Sequence, residues 1–506
     1  MKHFFTTTTL LLLLSLTFYS CSSKDEEEEI IQEPEEEFVL TTEDEINRFI
    51  WTGLNTYYLW QDKVPDLSDT KFSTYKELYL NFRKYSNPET TFDALLYNKG
   101  EVDRFSWIVD NYVELENSFQ GISKSNGMEF GLVQNRDGSE NIFGYVRYVV
   151  ANSSAAEKGV KRGMYFNTIN GTNLTISNYR DLLFGENSTT YTIGLANYNS
   201  GFPTSTGNSI TLTKTELQEN PIAVAETLNE GDKKIGYLMY NQFSASFDGQ
   251  LNAAFAKFKA DNIDELIVDL RYNGGGSIRS AIYLGSMITG QFNNQVYSRQ
   301  RWNSKVIEQF GADYFKDNFT NRISNTDGDG NVILDESINS LNLDKAYFIV
   351  SGNTASASEL VINALNAYID VKIIGVTTVG KQVGSITLYD SENLQRTGKN
   401  LNAKHAYAMQ PTVLEIVNKN NENDIDGYTP GVDIPGVEIA EDYGDLGELG
   451  KTSDPLLNAA VNLIINGSKG VFNSKTGIRS KEIYNSAIAK PMGNNMYIEL
   501  KDLNLK

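Results

Sequence analysis

A single cysteine in 506 residues excludes a disulfide within the chain and a cysteine-rich metal cluster. That residue, Cys21, is left free for another use. Histidine is almost as scarce, with His3 and His405 alone, so the usual His/Cys zinc set cannot be assembled. A serine–histidine triad would have to rely on His405, because His3 lies in the leading targeting segment. Positive charge is short as well: 44 Lys and Arg stand against 65 Asp and Glu, and the net charge of −21 argues against nucleic acid as a partner. No apolar run is long enough to cross a bilayer as a mature helix.

What is present describes a loop-rich, acidic, globular chain of several domains, with 40% hydrophobic residues, 40 Gly and 28 Tyr. Residues 1–20 read as a targeting signal: Lys2 supplies the charge, Leu10 to Leu14 and Leu16 the apolar run, and Ser20 the small residue before Cys21. Residues 21–43 contain "SSKDEEEEIIQEPEEEF", nine acids against one lysine, a self-repelling tether. Residues 44–118 show helical periodicity through Ile46, Phe49, Ile50 and Leu54. Residues 119–218 break into short strand-like runs such as "GMEFGLV" and "YTIGLANY". From 222 to 470 strands and helices alternate, as in an α/β layer with crossover connections, and 471–506 form a C-terminal extension. The fold class expected is therefore multidomain α+β.

The stretch "SGNTASASELVINAL" places Ser356 where the apolar strand "KAYFIV" gives way to a helical stripe of Leu360, Val361, Ala364, Leu365, Tyr368 and Ile369. Free N–H groups at such a helix start could hold an oxyanion. Ser356 and Glu359 equally satisfy a capping box, which would give the serine a purely structural task. A nucleophilic serine needs a base, and His405 or a lysine kept neutral by burial are the choices. Lys381, after "KIIGVTTVG", sits where its ammonium could be desolvated.

Taken together, "LIVDLRYNGGGS", "GNTASASELVINAL" and "IIGVTTVGK" resemble the C-terminal processing peptidases, the tail-specific Ser/Lys proteases of family S41. The lysine follows the serine by 25 positions, as in that family. The resemblance implies a ClpP/crotonase-like peptidase core, Ser356 as nucleophile, Lys381 as general base, and oxyanion donors from Ala357 and the Gly274–Gly275 pair. Many members have Gln four residues after the lysine, where this chain has Ser385, with Gln382 nearer. The run Asn152 to Thr172 resembles the central unit of a PDZ domain. It implies that Gly127, Met128, Glu129, Phe130, Gly131 and Leu132 form a carboxylate-binding loop and its adjoining strand, a site for substrate tails. Phe18 to Cys21 resembles a bacterial lipoprotein cleavage box, implying lipid on Cys21. The acidic run behind it resembles a surface-export signal, which implies an outer-membrane lipoprotein of a Gram-negative cell envelope.

The expectation is a serine endopeptidase acting on the C-terminal tails of peptides or unfolded proteins, without cofactor and held to a membrane by lipid. Two rivals stand beside it: a catalytically weakened peptide-binding lipoprotein, motivated by Ser385, and an outer-membrane nutrient-binding lipoprotein. A separate stretch, "NTDGDGNVILDE", has calcium-loop spacing at Asn325, Asp327, Asp329 and Glu336. The alternative is an acidic hairpin turn, which its Asp-Gly dipeptides favour. No protein-bound metal is expected.

Overall fold

Near-continuous apolar runs such as "ELIVD" and "KAYFIV" suit strands buried on both faces, and they lie at the centre of a six-stranded sheet. In the computed structural model, which describes residues 38–185, 188–327, 330–467, 482–490 and 493–500, the strand order is Ile222–Glu230, Lys233–Tyr240, Glu265–Asp269, Lys345–Val350, Asp370–Gly375 and Gly436–Glu438. The first pair is an antiparallel hairpin; the remaining pairings are parallel. Parallel neighbours need crossovers, and the helices Asp248–Asp261 and Ala357–Asn366 supply two of them. Ile235, Tyr237, Met239, Ile267 and Ile349 pack against Pro455–Asn466. Helix Ile278–Ile288 packs between Asp248–Asp261 and Ala357–Asn366.

The N-terminal region, read from the sequence as helical, carries helices at Thr42–Tyr57, Tyr75–Phe82, Pro88–Ala94 and Tyr112–Phe119. Thr74 caps the second through Glu77 N–H, and Asn87 caps the third with Pro88 at its first turn. The β-rich region forms its own antiparallel sheet from Met128–Gln134, Ile142–Val149, Tyr165–Ile169, Thr190–Asn197 and Thr204–Thr213. Its core is Phe130, Leu132, Val146, Phe166, Ile193 and Leu212. Residues Thr42–Lys506 nevertheless make one compact unit.

Three features differ from the sequence reading or extend it. Helix Ala357–Asn366 stops before Tyr368 and Ile369; Tyr368 instead turns out of the stripe and donates from its hydroxyl to Val296 O at 2.6 Å. The Asn325 to Glu336 stretch is a hairpin, Arg322–Thr326 against Val332–Ser337. Within it Asn325 Nδ2 donates to Asp248 Oδ2, and Asp327 accepts from Asn331, while Asp329 lies outside the described residues. The C-terminal extension contributes strands to two sheets: Glu482–Asn485 extends the β-rich sheet, and Met496–Tyr497 enters a second six-stranded sheet beside Gly276–Ser277 and Val383–Ser385. The targeting segment, Cys21 and the tether through residue 37 lie outside the described residues. No helix among the described residues is long and apolar enough to cross a membrane.

Candidate active site

Strand Lys345–Val350 ends in the turn Ser351–Ala355, and the next residue, Ser356, has φ +68° and ψ −119°. A non-glycine residue there costs about 1–3 kcal/mol and persists only when its surroundings force it. Here Ala355 N–H donates to Asn273 O (3.2 Å), Ser356 N–H to Glu359 Oε2 (2.8 Å), and Leu360 N–H to Ser356 O (2.8 Å). Ser356 Oγ makes no cap hydrogen bond and has no partner, although it is fully buried. The structural half of the capping box, Glu359 to Ser356 N–H, is made; the serine half is not. Ala357 N–H heads the helix that follows.

Glu359 does more than cap. Its buried carboxylate takes Ser356 N–H and Lys381 N–H on Oε2, at 2.8 and 2.9 Å, and Gly380 N–H and the Thr378 hydroxyl on Oε1, at 2.7 and 2.5 Å. One side chain thus joins the serine turn to the lysine loop. Burial pushes its pKa up, and these four donors work against that rise.

Lys381 is 2% exposed. Burial lowers its pKa to about 7; Asp103 and Glu359 oppose the shift and Arg104 adds to it. Near pH 7 such an amine is half neutral and able to accept a proton. Its Nζ stands 4.7 Å from the Phe105 ring centre and donates to Asn494 O at 2.6 Å and to Asn495 Oδ1 at 3.4 Å. The N-terminal region therefore frames this lysine, and Arg104 Nη2 also donates to Gly380 O. Ser356 and Lys381 converge through their backbones on Glu359, but their side-chain ends are not hydrogen-bonded to each other.

The glycine loop lies against the serine. A Cβ on Gly275 would meet Asn495 O at 2.5 Å and Ser356 Cβ at 2.7 Å, and one on Gly274 would meet Gly493 O at 1.9 Å, so any side chain at either position is excluded. Gly275 N–H donates to Asn273 Oδ1 (2.9 Å), and Asn273 O accepts from Ser358 Oγ. Asp269 and Arg271 pair with each other (2.7 Å), and the guanidinium also reaches Asp454 (2.8 Å) and Glu441 (3.2 Å). Ser385 Oγ donates to Gln410 Oε1 at 2.6 Å and contacts Asn495 and Met496; the Gln382 side chain is buried without a partner.

His405 is elsewhere. Its Nε2 lies 3.1 Å from Asp390 Oδ2, its Nδ1 accepts from Tyr407 N–H, and its ring packs near Phe49 and Tyr407. In the β-rich sheet, Gly127 N–H donates to Ser125 Oγ and Met128 N–H to Asn126 Oδ1, while Gly131, Leu132 and Val133 face Glu482–Asn485 across a strand pairing. Glu129 is buried and bridged to Lys490 at 2.8 Å.

Sequence models of two families match this chain: "Peptidase family S41" over residues 234–425 and "Peptidase S41 N-terminal domain" over residues 45–107, together about half of it. The chain belongs to peptidase family S41. A curated relative named as a CtpA-like serine protease, from Staphylococcus epidermidis, is 26% identical over 189 residues, 36% of this S41 chain. The match spans 34%, about a third, of that relative's length. A crystal structure named as an S41 protease of Bacteroides fragilis aligns with a TM-score of 0.62 and 24% identity, over 85% of this chain and 98% of the other. That likeness establishes the shared mixed α/β fold.

Three contributors to the site escaped the sequence reading: Glu359 as the shared acceptor, the segment Asp103–Phe105 beside the lysine, and the tail residues Asn494 and Asn495. Only Glu359 left a local signal, as the acid of the Ser-Ala-Ser-Glu run.

Proposed function

We propose that this chain is a serine endopeptidase that engages the C-terminal tails of peptides or unfolded proteins and cuts them through an acyl-enzyme. Ser356 attacks the scissile carbonyl, Lys381 takes the serine proton and returns it to the leaving amine, and the Ala357 N–H at the helix start holds the oxyanion. Gly275 N–H is engaged with Asn273, so Gly274 is the candidate second donor. The observation that carries this reading is a buried lysine with its pKa lowered to about 7, whose backbone N–H shares a carboxylate oxygen with that of an unpartnered, strained serine.

The β-rich module is read as a PDZ-like domain. Strand Met128–Gln134 would capture an extended peptide by pairing at its edge, with helix Tyr179–Phe184 alongside. The central sheet and its crossover helices are read as a ClpP/crotonase-like peptidase core. Lipid on Cys21 would hold the protein to the cell envelope. Digestion of a panel of denatured proteins by the wild type and by Ser356→Ala, with the cleavage sites mapped by mass spectrometry, tests the reading. Cleavage by the wild type alone supports it; identical products from both chains reject it.

A further inference from the structure

The C-terminal segment, residues 482–490 and 493–500, runs along the β-rich module and beside Ser356 and Lys381. Its first part pairs antiparallel with the β-rich strand, Glu482 opposite Val133, Tyr484 opposite Leu132 and Asn485 opposite Gly131. Phe130 N–H donates to Ser486 Oγ (2.9 Å), and Ser486 N–H donates to Phe130 O (3.0 Å). The Tyr484 ring packs 5.3 Å from both Tyr179 and Phe184, with the Arg180 guanidinium over it.

Glu482 anchors this end. Both carboxylate oxygens accept from Arg147 Nη2 at 2.6 Å, one also accepts from Tyr145 OH at 2.6 Å, and the other from Asn353 Nδ2 at 3.3 Å. Arg147 is 1% exposed, so its charge depends on that carboxylate. Asn353 belongs to the turn that presents Ser356, which ties the anchor to the candidate active site. Lys490 then bridges Glu129 (2.8 Å) and Glu219 (3.0 Å).

The second part runs between strands Gly276–Ser277 and Val383–Ser385, in a cleft it fills beside Ser356 and Lys381. Met496–Tyr497 pairs in parallel with Gly276–Ser277, Ser385 pairs with Tyr497 on the other side, and Ile498 N–H donates to Ser385 O. Asn494 O takes the Lys381 amine, and Asn495 O lies against Gly275 beside Ser356. With this strand in place Ser356 is fully buried and Lys381 is bonded to the strand instead of the serine.

We propose that the module groove and the cleft form one peptide-binding track, and that the chain's own C-terminal segment is its resident pseudosubstrate, anchored by Glu482 and displaced by an incoming tail. This rests on the peptidase reading of Ser356 and Lys381. Pairing of main chain to main chain is the general means of holding an extended peptide, and it is used here at both ends of the segment. A merely structural strap would have no reason to engage the lysine amine and seal the serine.

The test uses the full chain with Glu482→Lys and Met496→Asp, changes that expel the two ends without touching the candidate catalytic residues; Glu482→Lys alone serves where the pair does not fold. Hydrogen exchange over 482–500 verifies release, and Ser356 labelling by a fluorophosphonate reads access. A segment seated about nine-tenths of the time predicts labelling about tenfold faster on release, reversed by a synthetic peptide of residues 482–500 added in trans. Labelling that is unchanged or slower after verified release overturns the proposal while leaving the serine reading intact. If neither chain labels or cleaves, the peptidase reading fails, and the track is judged by a fluorescently labelled peptide of residues 482–500 on the released Ser356→Ala chain. Saturable binding there upholds a resident ligand; none overturns it.

Discussion

Replacing Glu359 with glutamine changes one oxygen into an NH2 group and separates the account from one in which this acid is only a helix cap. The carboxylate accepts four hydrogen bonds, two on each oxygen. Glutamine keeps a single acceptor; with its NH2 turned toward Thr378 and Gly380 the threonine hydroxyl can rotate to accept, which leaves one N–H facing the NH2. A buried donor left unsatisfied costs about 1–3 kcal/mol, reduced by no longer burying a carboxylate. Because the serine turn and the lysine loop hang from the same group, Glu359→Gln should also slow Ser356 labelling at least about tenfold, equivalent to about 1.4 kcal/mol of misplacement. Urea unfolding gives the first quantity and fluorophosphonate labelling the second, both on the full chain. A variant within about 0.5 kcal/mol of the wild type that labels at the wild-type rate would refute the reasoning.

Arg271→Met should destabilise by about 3–5 kcal/mol in urea unfolding, since it strips the buried carboxylates of Asp269, Asp454 and Glu441 of a shared cation. Burial raises the Glu441 pKa, but Arg162 and Arg271 more than offset it and bring it down to about 2. The stability it contributes is therefore full above the ordinary carboxyl pKa near 4.5 and is lost as pH falls toward 2; unfolding midpoints measured across that window should show a shallower loss in Arg271→Met. Peptides with a free apolar C-terminus should bind better than their amidated forms, read by anisotropy on the chain released from its own segment; equal binding contradicts tail capture by the β-rich module. Cys21→Ala should move the protein from the membrane to the soluble fraction, and intact mass of the wild type should show an acylated N-terminus.

The core was legible because its signals are local. "KAYFIV", a turn and an apolar helical stripe lie within some twenty-five residues, and their periods identify strand and helix without outside help. The same sequence could not separate a capping serine from one whose hydroxyl is left without a partner. That distinction rests on the positive φ at Ser356, which is imposed by Asn273 and Glu359. Contacts across the chain left less trace still. Arg104 reaches Gly380 over 276 positions, and Arg147 meets Glu482 over 335. Arg147 is the one charge in an otherwise apolar strand, and Glu482 lies in an extension whose short strands, at Glu482–Asn485 and Met496–Tyr497, borrow their regularity from the sheets they join.

The pH dependence of Ser356 acylation tests the central claim most directly. With the Lys381 pKa lowered by burial to about 7, the acylation rate should rise through that pH, from about a tenth of its plateau at pH 6 to about nine-tenths at pH 8. Lys381→Arg should abolish it in a folded chain, because arginine keeps its proton, and His405→Ala should leave most of it. A Lys381→Arg chain that acylates normally, beside a His405→Ala chain that does not, would contradict the Ser/Lys assignment.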